Sequence, residues 1–196
     1  MRKSKLNRET RETQISVEVN LDGKGEYDID TGNGMFDHLL AQLSRHGLID
    51  LNIKARGDTH VGWHHLVEDT GIVLGRALKD AVGDGGGKRR LGHTYVPLAE
   101  ALALTVVDFG GRGYAVIDAP MSDSDLGTLP AELIPHFLET MAREGTFNLH
   151  VRMLAGSSNH HKAEAMFKSL ARSMRAALEV DERLGGEVVS TKGSIG

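Results

Sequence analysis

The sequence predicts an α+β fold made of two similar ββαβα halves, each packing its helices against one face of a sheet. Three observations carry this expectation. Period-two apolar runs alternate with helical ones, the order of the runs repeats, and His-His-x-x-Glu occurs at the matching point of each repeat. The repeats span about 10–85 and 93–180 within one domain of 1–196, and 180–196 reads as an irregular tail.

In the first repeat, Ile15, Val17, Val19 and Leu21 alternate with polar residues as in a strand. Asp22-Gly23-Lys24-Gly25 then supplies a turn before Tyr27-Asp28-Ile29, as in a β-hairpin. Phe36, Leu39, Leu40 and Leu43 follow helical spacing up to Gly47, a residue type that favours a helix end. Ile49, Leu51, Ile53 and Ala55 return to alternation. A glycine-bearing loop leads to a second helix from His64 to about Val82, with Val67, Leu74, Leu78 and Ala81 among its apolar positions, closed by Gly83-Asp84-Gly85-Gly86-Gly87.

The second repeat keeps the order. Leu102 to Phe109 reads as a strand, Gly110-Gly111-Arg112-Gly113 as a turn, and Tyr114 to Asp118 as the partner strand. His136 stands 98 positions after His38 in similar surroundings, and Asn148-Leu149-His150-Val151 matches Asp50-Leu51-Asn52-Ile53 at the same offset. Each half then reaches its motif, HHLVE at 64–68 and HHKAE at 160–164, at the start of its last helix.

Composition narrows the chemistry. With 23 Lys and Arg against 27 Asp and Glu, the net charge of −4 offers no broad attraction to nucleic acid or an anionic membrane. No cysteine is present, so a metal would have to be held by histidine, carboxylate or water. No apolar segment follows MRKSKLNRET, and no run approaches the ~18 apolar residues of a membrane span, so the expected location is the cytoplasm. The ten histidines fall mostly in tight groups.

Residues four apart share a helix face, so His64 sits above Glu68 and His160 above Glu164, each pair a two-ligand clip for a metal ion. Adjacent helical residues are rotated by about 100°, which turns His65 and His161 toward a different ion. Pseudo-symmetry predicts one ion held by His64, Glu68 and His161 and another by His160, Glu164 and His65, with His38 and His150 as candidates for further ligands. A single His-His pair is commonly a surface or capping feature, but no packing requirement asks for two matching ones. Such donors suit manganese, iron, zinc or nickel.

Together, Glu12-Thr13-Gln14-Ile15, TGNGMFDHLL at 31–40, GDTHVGWHHLVEDTGI at 57–72, HHKAEAMFKSLAR at 160–172 and STKG at 190–193 resemble the imidazoleglycerol-phosphate dehydratases, nearly end to end. The resemblance implies a duplicated fold and a homo-oligomer of cubic symmetry with roughly 24 subunits. It also implies active sites with two manganese ions between subunits, where imidazole-glycerol phosphate loses water to give imidazole-acetol phosphate in histidine biosynthesis. The implied metal ligands are His38, His64, His65, Glu68, His150, His160, His161 and Glu164. Of these, His38, His64, Glu68 and His160 would also touch the substrate, with Glu12, His46 and Lys168 lining its site. Arg90, Arg112, Ser190, Thr191 and Lys192 would grip the phosphate, a task suited to guanidinium, ammonium and hydroxyl donors. His136 aligns with His38 yet reads as an ordinary helix-face histidine, and His60 and His93 read as structural.

The substrate implied by the resemblance carries a hydroxyl beside the imidazole ring and a C–H with no neighbouring carbonyl to acidify it. Two ions, one on each ring nitrogen, would make the ring an imidazolate able to expel the hydroxyl through a diazafulvene-like intermediate. Loss of the C–H proton then gives an enol and finally the ketone. Glu12, Glu164 and His46 are the candidates for proton transfer, with Glu12 the freest from metal. Gly62-Trp63, Pro97-Leu98-Ala99-Glu100 and Ser157-Ser158-Asn159 depart from the family pattern, and bear on substrate contacts and on groups that orient ligands. Two other readings are a dinuclear metallohydrolase, which would release inorganic phosphate, and a metal-binding assembly without turnover. Arg90, Arg112, Lys168 and Lys192 argue against the latter.

Overall fold

The computed structural model describes residues 2–195. The first half contains β1 (Lys3–Glu9), β2 (Thr13–Asn20), β3 (Tyr27–Asp30), α1 (Gly34–Gly47), β4 (Asp50–Gly57) and α2 (His64–Val82). The second repeats the order with β5 (Leu91–Leu98), β6 (Ala101–Asp108), β7 (Tyr114–Asp118), α3 (Leu133–Glu144), β8 (Asn148–Ala155) and α4 (Asn159–Leu178). The expected halves are present, each with one strand more at its front. β1 hides behind the charged sequence KSKLNRE, of which Leu6 packs on the core, and β5 is interrupted by Gly92 and Pro97. Both are edge strands, where charge and proline are tolerated. In the tail, Glu182–Leu184 forms a short 3-10 turn.

The strand orders, β1-β2-β4-β3 and β5-β6-β8-β7, correct the expected hairpins. β4 lies between β2 and β3, antiparallel to the first and parallel to the second, and β7 likewise pairs with β8 rather than with β6. Burial explains the order. The buried inner face of β2, with Ile15, Val17 and Val19, pairs with the equally buried Leu51, Ile53 and Ala55 of β4, whereas β3 is largely exposed and takes the edge. α1 and α3 provide the crossovers that parallel neighbours require.

The helices cover the inner faces of the sheets, α2 over β1 and β2, α1 over β3, α4 over β5 and β6, and α3 over β7. Across the halves, α1 packs on α4 and α2 on α3. Gly71 faces Phe137 and Gly75 faces Met141, so α2 and α3 run in the same direction. A Cβ at Gly75 would stand 2.6 Å from the Met141 carbonyl oxygen, so glycine is what permits this close approach. Phe137 meets Phe36 edge-on at 5.2 Å and stacks with Phe167 at 5.8 Å, tying three helices into one core. This parallel pairing brings together the first turns of α2 and α3, and those of α1 and α4.

The outer faces of the two sheets differ. The first presents Lys3, Lys5, Glu18, Lys54 and Arg56, whereas the second exposes Leu91, Tyr95, Val106, Tyr114, Val116 and Leu154. Among the described residues, no helix is long and apolar enough to cross a membrane.

Candidate metal centres and substrate site

The first turn of α2 carries His64 and, one turn on, Glu68, with 3.7 Å between Nε2 and the carboxylate. His136 of α3 approaches the same carboxylate to 3.6 Å, and its ring stacks on that of His64 with centroids 4.6 Å apart. The chain enters α2 through Gly62, whose φ of 125° is a conformation open to glycine, so the Gly62-Trp63 departure has a backbone role. Trp63 packs on the edge of the core.

The second group is tighter. His160 Nε2 lies 2.9 Å from Glu164 Oε1 on α4, and His38 Nε2 of α1 reaches the same oxygen at 3.1 Å. Lys168, one turn further along α4, donates from Nζ to Glu164 Oε2 at 2.6 Å, and Gln42 stands beside His38 at 3.3 Å. Burial pushes the Glu164 carboxyl up, but hydrogen bonds from Lys168 and His38 outweigh it and hold the group down at about 2.

Each group therefore unites two ligands from one half with a histidine from the other, supplied through the α2–α3 and α1–α4 contacts. Within one chain, the groupings are these. His136 joins His64 and Glu68, and His38 joins His160 and Glu164, while His161 and His65 lie in neither group. The 98-residue offset from His38 was the sequence signal for His136. His150 also lies outside both groups. It projects from the outer face of the second sheet, between Val106 and Val116.

His65 and His161 turn away as their rotation requires, their rings at 84° and 78° to those of His64 and His160. Each meets a carboxylate that sequence reasoning did not single out for the purpose. His65 Nδ1 lies 3.1 Å from Asp58, and His161 Nδ1 lies 2.7 Å from Glu100. Glu12, exposed at the β1–β2 turn, is 4.0 Å from His65 Nδ1. His46, near the end of α1, has its pKa lowered by burial and by the nearby charges of Lys168 and Arg172.

The residues expected to bind phosphate do converge. Arg90, Arg112, Ser190, Thr191 and Lys192 line one cleft of about 580 Å³. Asp108 accepts from Arg90 Nε at 2.7 Å and from Nη2 at 2.9 Å, and the Val189 carbonyl accepts from Nη1 at 2.8 Å, which ties the tail to the guanidinium. This cleft is remote from the histidine groups on the same chain. Arg90 N donates to the Ala177 carbonyl, 17 residues along α4 from His160, a rise of about 26 Å.

The donor sets fit divalent cations. In each group two imidazoles and a carboxylate offer atoms within 4.8 Å of one another. His136 Nε2 is buried without a hydrogen-bond partner among the described residues. Its distance from Glu68 matches the spacing of about 3.0–3.6 Å between two ligands that each stand about 2.1 Å from a shared ion.

Fold and site thus define a class: duplicated α+β proteins with two cation-capable His/His/Glu groups and a separate cationic cleft suited to an anion. Residues 31–174 match the family model described as imidazoleglycerol-phosphate dehydratase. The chain is 50% identical to the imidazoleglycerol-phosphate dehydratase of Albidiferax ferrireducens over 99% of this chain and 95% of that protein. It is 49% identical to that of Dinoroseobacter shibae over the whole of both. The crystal structure of the Staphylococcus aureus enzyme superposes with a TM-score of 0.83 at 32% identity, covering 91% of this chain and 99% of that one. The Pyrococcus furiosus structure, in complex with (S)-C348, gives the same score at 33% identity, covering 97% and 100%. The chain belongs to the imidazoleglycerol-phosphate dehydratase family, and with it to the dehydratases of histidine biosynthesis.

Proposed function

We propose that the protein converts imidazole-glycerol phosphate to imidazole-acetol phosphate and water in the cytoplasm, using two manganese ions per site. The sites are completed between copies of the chain in a cubic assembly of roughly 24 subunits. The observation that carries this reading is the separation within one chain. His160 and Ala177, whose carbonyl accepts from Arg90 N at the cleft, lie at opposite ends of α4, a rise of about 26 Å, and an imidazole linked to a phosphate by a three-carbon chain is far too short to bridge such a span. The apolar outer face of the second sheet supports association, because exposed patches of this kind mark contact surfaces.

In this reading His64, Glu68 and His136 hold one ion and His38, His160 and Glu164 the other, while His65 and His161 serve ions held on neighbouring copies. The mixed imidazole and carboxylate donors suit manganese. Divalent ions held there would supply Lewis acidity that makes the substrate's imidazole nitrogens more acidic. The chain's own residues do the rest. Arg112, Lys192 and the Ser190 and Thr191 hydroxyls anchor the phosphate beside Arg90, which Asp108 holds in place. His46, kept neutral by burial and its cationic neighbours, is able to accept a proton at physiological pH. Glu12, exposed and outside both ligand groups, takes the proton from the second carbon out from the ring, next to the carbon that loses its hydroxyl. Lys168 orients Glu164 and carries a positive charge toward the departing hydroxyl.

The test is to supply manganese-loaded protein with imidazole-glycerol phosphate and to follow the ketone, with sedimentation measured alongside. Ketone formed by a large assembly supports the proposal. Release of inorganic phosphate without ketone, or full activity in a monomer, overturns it.

A further inference from the structure

The second histidine of each motif is held in the same way by residues that the duplication does not relate. Asp58 precedes His65 by 7 residues and lies in the loop after β4. Glu100 precedes His161 by 61 residues and lies in the tight β5–β6 turn, next to Ala99 with its φ of 47°. The repeat counterpart of Glu100 is Glu12, just before β2, which stands 4.0 Å from His65 Nδ1, while Asp58 makes the closer contact at 3.1 Å. Here two different loops deliver a carboxylate to the same ring atom, Nδ1.

The chemistry of that contact sets where the imidazole proton resides. An ionised carboxylate only accepts hydrogen bonds, so the neutral ring donates from Nδ1 and leaves the Nε2 lone pair free. Glu100 is itself anchored. It accepts from the Ser157 amide at 3.2 Å, the Ser157 hydroxyl at 3.3 Å and the Ser158 amide at 2.9 Å, leaving its other oxygen for His161. The Pro97-Leu98-Ala99-Glu100 and Ser157-Ser158-Asn159 departures thus form one unit, with Asn159 pinning the loop at Ser122 and Ser124.

We infer that Asp58 and Glu100 are positioning residues that lock His65 and His161 in the Nδ1–H tautomer, presenting Nε2 to a divalent cation held by another copy of the chain. The cation half of this statement rests on the function proposed above. The tautomer half stands on the geometry alone, and outer-shell carboxylates of this kind typically change metal affinity by ten- to hundredfold.

Solid-state ¹⁵N spectra of metal-free, histidine-labelled protein test the tautomers, with His65→Gln and His161→Gln assigning the signals. Both rings are expected as Nδ1–H in the parent protein. Glu100→Gln, whose amide can donate to Nδ1, should shift His161 toward Nε2–H and leave His65 alone, and Asp58→Asn should do the reverse. Glu100→Asp should restore part of the His161 signal. Titration with Mn²⁺ should then give ten- to hundredfold weaker binding at one class of site in either amide variant, with circular dichroism reporting an intact fold. Nε2–H rings in the parent protein, or amide variants whose tautomers and affinities do not change, overturn the inference. A parent protein with Nδ1–H rings that binds no Mn²⁺ overturns the cation half together with the metal reading, and leaves the tautomer lock supported.

Discussion

The two ligand groups share a plan and differ in charge. Around Glu68 the imidazole nitrogens stand 3.6 and 3.7 Å away, and no lysine among the described residues pairs with it. Around Glu164 they close to 2.9 and 3.1 Å, and the Lys168 ammonium occupies the second carboxylate oxygen. One helical turn after Glu68 the corresponding residue is Ile72. Duplication copied the ligand spacing, and a single neighbour one turn away then reset the electrostatics. The first group is left open to a cation, whereas in the second a cation must share its carboxylate with a positive charge already bound there.

The largest effects are expected from the shared ligands. Glu68→Gln and Glu164→Gln should each lower turnover by more than the roughly hundredfold typical of an outer-shell change, and each should cost about half of the bound manganese by elemental analysis. Unequal metal loss would show that the groups are not equivalent holders. A smaller effect sharpens the contrast. Lys168→Ile copies the first group's environment into the second, so Mn²⁺ affinity there should rise toward that of the first group while turnover falls by roughly tenfold to hundredfold. An unchanged affinity would remove the charge explanation.

The smallest effect concerns stability. The folded-state pKa of Glu164, about 2, lies below its ordinary value of 4.5. Its contribution to stability is therefore fully present above about pH 4.5 and is lost as the pH falls toward 2. In metal-free protein, urea midpoints of Glu164→Gln should depend less on pH across that window than those of the parent. Parallel curves would contradict the assigned cause.

Much of this was legible from local pattern. α2 begins at His64 and ends at Val82, as apolar spacing and the glycine run indicate, and the four-residue spacing of His64 with Glu68 and His160 with Glu164 holds. The outward turn of His65 and His161 followed from helix geometry. β1 and β5 carry no clear strand signal in the sequence because edge strands tolerate charge, glycine and proline. The turn after β2 suggests a β2–β3 hairpin because it is a local cue, whereas the buried face of β2 selects β4 as its partner by burial.

By itself the sequence determined what depends on short range: the duplicated order of elements, the two clips and the direction of each second histidine. Only the tertiary structure decided that, within one chain, His136 stands with His64 and Glu68 and His38 with His160 and Glu164, that His150 stands apart from both groups, and that five phosphate-binding candidates share a cleft far from both. The reason is physical. Helical spacing is encoded within a few residues, but the third ligand arrives through α2 packing on α3 and α1 on α4, contacts whose closeness depends on features such as Gly75 against Met141, far apart along the chain.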